Sequence, residues 1–381
     1  MKILIAGDFC PQNRISDQFE KGNFEAVLGG VKTIIKQADY AIVNFECPVC
    51  NGDERPIEKC GPNLKCSESG IAAVKWAGFD CVTLANNHLL DYGEVGVSNT
   101  LTACQKYQLD ISGGGSCLED AQRILYKNIQ GKILAIVNCC EREFSIATET
   151  TAGSNPLNPI QQYYSIKEAR SRADHVVVIV HGGHEYYQLP STRMQDTYRF
   201  FIDAGADAVI NHHQHCYSGM EMYNGKPIFY GLGNFLFDTK NKANANVWHD
   251  GYMVHLVLEG SEIDYEIIPY RQCDDKVTVR ILSEDAELSA FKTKFEDLSS
   301  IIQNHNQLVR RQTKFYSEQS KGRLTAFEPW QNKILRSVYS RGLLPSFVKG
   351  KVAARMLNYV ECESHRDVLN FALKKTMEDG E

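Results

Sequence analysis

Along the first 280 residues of this chain, short runs rich in Val, Ile, Leu and Tyr alternate with polar, helix-like stretches, and nearly every apolar run leads into residues able to bind a metal. The runs at residues 2–6, 40–45, 81–85, 133–138, 175–180, 208–210 and 227–230 are mostly too short for helices. Several are apolar on both faces, as buried strands are. Candidate helices at 68–77, 94–107 and 193–204 lie between them. That alternation predicts an α/β fold. Residues 252–258 and 262–270 then alternate apolar and polar side chains around Glu259-Gly260-Ser261, which predicts a closing β-hairpin.

The ends of the runs carry the chemistry. The first leads into Gly7-Asp8, the second into Asn44-Phe45-Glu46, and the third into Asn86-Asn87-His88 with Asp91 close behind. Later runs lead into His181-Gly182-Gly183-His184-Glu185, Asn211-His212-His213-Gln214-His215 and Gly231-Leu232-Gly233-Asn234-Phe235. In open α/β sheets the active crevice lies at the carboxyl ends of the strands, so these residues should converge. A lone Asp after a strand is more often a turn or cap residue, and a lone His a satisfied core or surface group. Here six of the eleven histidines (His88, His181, His184, His212, His213 and His215) fall at three strand ends. Imidazoles clustered with Asp, Glu and Asn are a ligand set for two divalent transition ions. Such a pair, about 3.5–4 Å apart, needs a bridging carboxylate and further imidazole or oxygen ligands on each side.

At 381 residues, 43% of them hydrophobic and 23% charged, the chain suits one large domain plus an appendage. We expect a domain over residues 1–280 and a helical extension over 281–381. Helical periodicity runs through 290–319 and 351–377, interrupted by breakers at Gly342, Pro345 and Gly350. The formal net charge of −6 argues against nucleic acid as a partner. Residues 301–381 carry 14 Lys+Arg against 8 Asp+Glu, which leaves −12 for residues 1–300. A carboxylate-rich metal-binding domain and a merely acidic surface both fit that asymmetry. The amino terminus reaches Asp8 without a long apolar stretch, and no later run approaches the roughly 20 apolar residues needed to span a bilayer, so the expected location is cytoplasmic. There the thirteen cysteines read as reduced thiols, with a zinc knuckle at Cys47, Cys50, Cys60 and Cys66 as the alternative.

Taken together, Gly7-Asp8, Asn44-Phe45-Glu46, Ala85-Asn86-Asn87-His88 with Asp91-Tyr92-Gly93, residues 181–186, residues 205–215 and Gly233-Asn234-Phe235 resemble the poly-gamma-glutamate capsule synthesis protein CapA family. The likeness covers roughly residues 1–260. That family belongs to the calcineurin-like metallophosphatases, so the resemblance implies a β-sandwich flanked by helices and two divalent ions (Mn, Fe or Zn). It implies that Asp8 and His215 hold the first ion, that Glu46 bridges both, and that Asn87, His181 and His213 complete the second site. His88 would stabilise or protonate the leaving group, oriented by Asp91, with Glu185 a further catalytic residue. Asn86 and Asn234 would contact substrate. The sequence departs from the pattern at Asp8-Phe9-Cys10, where a histidine is usual. Cys10 there is either a soft ligand or a buried thiol. Gly182, where a tryptophan is common after His181, and the pair Asn211 and Gln214, where Gly and Pro are usual, are further departures, and they bear on the substrate.

Two functions of different classes remain open. One is a metal-dependent hydrolase acting on a phosphorylated substrate or polymer linkage, with a role in capsule, poly-gamma-glutamate or surface polysaccharide synthesis beside other capsule-synthesis proteins. The other is a non-catalytic component of a membrane-associated polymer synthase, with the basic helical region as its docking surface.

Overall fold

The structure, a computed structural model, describes every residue except Asp53, 240–244, Ser261 and 379–381. Its first sheet contains β1 (Lys2–Cys10), β2 (Tyr40–Phe45), β3 (Cys81–Thr83) and β4 (Asp110–Ser112). A short pair follows, β5 (Gly114–Gly115) with β8 (Gly153–Ser154). The second sheet contains β6 (Leu125–Ile129), β7 (Lys132–Cys140), β9 (His175–His181), β10 (Ala208–His212), β11 (Met220–Tyr223) and β12 (Lys226–Phe229). Four more strands, β13 (Asn234–Phe237), β14 (Asp250–Glu259), β15 (Glu262–Gln272) and β16 (Val279–Ile281), return to the first sheet.

The first sheet runs β16-β15-β14-β1-β2-β3-β4, with β13 also pairing β1, and the second runs β11-β12-β10-β9-β7-β6. Strand alternation sends Ile3 and Ile5 to one face of β1 and Leu4 and Ala6 to the other. Ile3, Ile5 and Ile42 share a core with Val137, Val178 and Ile210, so the two sheets pack face to face. Leu4, Ala6 and Val43 meet Val27 and Val31 of the helix Phe24–Ile35 and Val74 of the helix Ser69–Ala77. On the far side, Ile166 and Phe201 bring the helices Pro159–Arg172 and Thr192–Ala204 onto the second sheet. The result is the expected α/β sandwich of two sheets flanked by helices.

The central strand β1 has divided neighbours. Residues 2–5 pair antiparallel with β14, whereas Asp8, Phe9 and Cys10 pair parallel with β13, and the register with β2 slips between Ala6 and Asp8. Gly7 sits at the slip. A Cβ there would lie 1.9 Å from the carbonyl oxygen of Gly233, so only glycine lets β13 approach. Asn234, expected beyond a strand end, instead opens β13 and stands beside Asp8 in register.

Two compact units result, Met1–Val309 and Arg310–Glu381. The helical region expected from residue 281 is therefore divided. The helix Asp285–Gln303 belongs to the first unit, where Phe291, Leu298 and Ile302 enter the sheet core. The helices Lys333–Ser340, Gly350–Glu361 and Glu363–Glu378 belong to the second. Among the described residues no helix is long and apolar enough to cross a membrane.

Candidate metal centre

Parallel pairing carries the ends of β1, β2, β9 and β10 to one edge of the sandwich, and there the titratable side chains meet. Asp8, Glu46, His181, His213 and His215 are each at most 4% exposed. They form two groups with ligand atoms within reach of a single ion: Asp8 with Glu46 and His215, and Glu46 with His181 and His213. Glu46 is common to both. Its Oε1 stands 3.4 Å from His181 Nε2 and 3.7 Å from His215 Nε2.

Neighbouring side chains aim these ligands. The Asn44 amide donates to Asp8 Oδ1 at 2.7 Å and lies 3.2 Å from His181 Nδ1. Asn87 Oδ1 is 2.9 Å from His181 Nε2, and His213 Nδ1 is 3.1 Å from that same nitrogen. Asn234 Oδ1 takes His215 Nδ1 at 2.9 Å, while its amide donates to the His215 and Trp248 carbonyls. That leaves His215 Nε2 turned toward Glu46, the arrangement by which outer groups fix an imidazole ligand. The backbone contributes too. His213 (φ 84°) and His215 (φ 55°) both adopt the left-handed conformation, strain of about 1–3 kcal/mol each that gathers at functional sites.

Burial dominates the electrostatics. It raises Asp8 to about 6, with Glu46 adding repulsion, and it raises Glu46 against the opposing pull of His215. The same desolvation lowers His181 and His213 well below the usual imidazole range. Burial would also lower His215, but the carboxylates of Glu46 and Asp8 outweigh it and raise that ring.

Next to this group, His88 Nδ1 meets Asp91 Oδ2 at 2.7 Å. Asp91 also accepts the Leu64 amide at 2.6 Å and pairs with Lys59 Nζ, whose side chain is only 1% exposed. Lys59 Nζ lies 3.3 Å from His88 Nδ1 as well. Glu185 is exposed at the rim, close enough to act on Glu46 and His215 through its charge. Asn86 takes a different part from the substrate contact expected of it. It is fully buried, and its side chain donates to the Phe45 carbonyl and accepts the His88 amide, which fixes the loop carrying His88. Asn234 likewise is spent on His215. Cys10 stands outside both ligand groups, hydrogen-bonded to Cys47 and raised by burial. Among the described residues all thirteen cysteines are free thiols, and no candidate metal group contains one.

Several site residues escaped the sequence reading. Lys59 sits in a polar loop with nothing to mark it. His212 falls within the histidine cluster, and the resemblance implies no ligand role for it. It is buried, both its ring nitrogens lack partners, and Nδ1 lies 4.0 Å from Asp8 Oδ1. An aromatic wall also closes on His215, with the rings of Trp248 at 5.1 Å, Phe237 at 5.2 Å and Tyr186 at 6.2 Å. Tyr186 closes the motif at residues 181–186, whereas Phe237 and Trp248 lie outside every motif.

Fold and site together define an α/β sandwich with a buried carboxylate–imidazole cluster whose donor set could hold a metal ion. Within that class, the chain belongs to the family of bacterial capsule synthesis proteins PGA_cap, whose pattern it matches over residues 2–239. It is 31% identical over 336 residues to the capsule biosynthesis protein CapA of Bacillus anthracis, spanning 82% of this chain and 80% of that one. It is 34% identical over 276 residues to the PGA biosynthesis protein CapA of Bacillus subtilis, spanning 71% of each. Among solved structures, a novel phosphatase from Mycoplasma pneumoniae superposes with a TM-score of 0.46 at 16% identity, over 72% of this chain and 94% of that one.

Proposed function

We propose that the protein is a hydrolase dependent on two divalent ions (Mn, Fe or Zn), acting on a phosphoester or related linkage during capsule or poly-gamma-glutamate synthesis. One observation carries this reading. Glu46 is fully buried, shared by both ligand groups, and neither carboxylate oxygen has a hydrogen-bond partner. A buried carboxylate with no donor is costly unless a cation takes its charge. Asp8, Glu46 and His215 would hold one ion, and Glu46, Asn87, His181 and His213 the other. Bound there, the ions would polarise substrate oxygens and acidify water.

The chain's own residues do the rest. His88, tied through Nδ1 to Asp91, keeps Nε2 to deliver a proton to the leaving oxygen. Lys59 and Asp91 hold that ring in place. Asn234 and Asn44 keep His215, Asp8 and His181 in their ligating orientations. Trp248, Phe237 and Tyr186 shield the His215 side of the centre from bulk water. The capsule role is supported by family membership and by the names its relatives carry.

The test is the metal content of protein purified without a metal-affinity tag, in the wild type and in His213→Ala/His215→Ala. We expect near two equivalents of transition metal in the wild type, lost in the double variant, followed by turnover in a phosphoester screen. Wild-type protein that stays metal-free after incubation with Mn²⁺ or Zn²⁺ overturns the proposal and leaves a non-catalytic binding component in its place.

A further inference from the structure

The second unit carries a pattern that a metal centre does not call for. Residues 333–360 contain Lys333, Arg336, Arg341, Lys349, Lys351 and Arg355, and no Asp or Glu. Within the same stretch Ile334, Leu343, Phe347, Val352, Leu357 and Val360 are exposed, Ile334 and Leu343 to 72%. Leaving large aliphatic side chains in water forgoes burial energy, and contiguous apolar surface marks an interaction site.

Geometry concentrates the pattern. In the helix Gly350–Glu361, Val352, Met356 and Val360 recur at four-residue spacing beside Ala353 and Leu357, which makes one apolar face. Lys351 and Arg355 border it. The preceding loop is held in shape by Glu328. Its buried carboxylate accepts the Tyr339 hydroxyl at 3.0 Å and the Phe347 amide at 2.9 Å and also takes the Ser346 hydroxyl. Trp330 leans on the Phe347 ring at 5.7 Å and donates to the Pro345 carbonyl. Leu343 and Phe347 are therefore presented outward from an ordered loop.

We infer that residues 333–360 form a peripheral docking surface for an anionic lipid bilayer. Basic helices with an apolar face lie in the headgroup region, with cations at the phosphates and hydrophobic side chains below them. A soluble polyanion would pair the six cations but leave the apolar face in water. A second copy of this face would set six cations against six. An anionic bilayer satisfies both parts of the pattern, and the inference is independent of the metal centre.

The test uses the full chain in flotation with phosphatidylcholine vesicles, pure or containing about 30% phosphatidylglycerol. We expect the chain to float with the anionic vesicles and not with the pure ones. Lys349→Gln/Lys351→Gln/Arg355→Gln should weaken partitioning on the order of a hundredfold, roughly fivefold per cation. Leu343→Ser/Phe347→Ser/Leu357→Ser should weaken it by about tenfold or more, with an unchanged circular dichroism spectrum. If the serine variant loses its fold, the glutamine variant and release of the wild type by about 0.5 M salt decide the matter. Failure to float with either vesicle, or undiminished binding in both variants, overturns the inference. So does competition by soluble poly-glutamate together with full binding of the serine variant, which would mark a polyanion site. A dimer abolished by the serine substitutions would also overturn it, marking the face as self-association surface.

Discussion

Lys59 shows how a residue with no sequence mark acquires a role. It lies in a loop of turn and charged residues, yet its side chain is buried against Asp91 and His88. Asp91 is itself completely buried, so the pair balances two charges that have left water. Removing one partner of a buried pair strands the other, at a cost of about 3–5 kcal/mol. Lys59→Met should therefore lower the unfolding free energy by about that much in urea titration. Asp91→Asn/Lys59→Met should recover much of the loss, because the stranded charge is gone. A single variant as stable as the wild type would show that the pair is solvated.

At the scale of elements, the candidate metal centre depends on how β1 is shared. Its first half pairs with β14 and its second with β13, and Gly7 marks the change. The carbonyl of Gly233 occupies the place a side chain would take. Gly7→Ala must push β13 away, and with it Asn234 and the orientation of His215. We expect a loss of about 3 kcal/mol or more in stability, measured by denaturant unfolding, together with weaker metal binding. The hairpin of β14 and β15 and most parallel strands stood where the apolar runs place them, because a buried strand is a local pattern. The strand β13 was not legible, since Asn234-Phe235-Leu236-Phe237 follows directly on a glycine-rich turn. The helical periodicity over 290–319 is realised as two helices, Asp285–Gln303 and His305–Leu324, which meet at Asn304. Periodicity marks the face a helix buries, not where it ends.

For the whole molecule, the proposed metal centre predicts metal binding that depends on pH. Asp8 is raised to about 6, so near pH 6 it is partly protonated in the metal-free protein, and His215 is raised above the usual imidazole range by the neighbouring carboxylates. His181 and His213 are lowered and stay neutral, ready to ligate. Metal must displace the protons on Asp8 and His215, so affinity should fall as pH drops through 6. Calorimetry in buffers of different ionisation enthalpy should report proton release on binding at pH 6, declining as pH rises. Proton uptake at pH 6 would contradict the upward shifts.

The sequence by itself determined the α/β alternation, the closing hairpin, the helical carboxyl-terminal region and the gathering of Asp8, Glu46, His181, His213 and His215 at strand ends. These are local facts, written in side-chain periodicity and in which residue follows each apolar run. Only the tertiary structure decided that Glu46 is shared by two ligand groups, that Asn234 aims His215, and that Asn86 serves the loop of His88. It also decided that Lys59 is buried and that Cys10 faces Cys47. Those outcomes rest on contacts between residues tens to hundreds of positions apart, set by strand register and by which side chains lose water together.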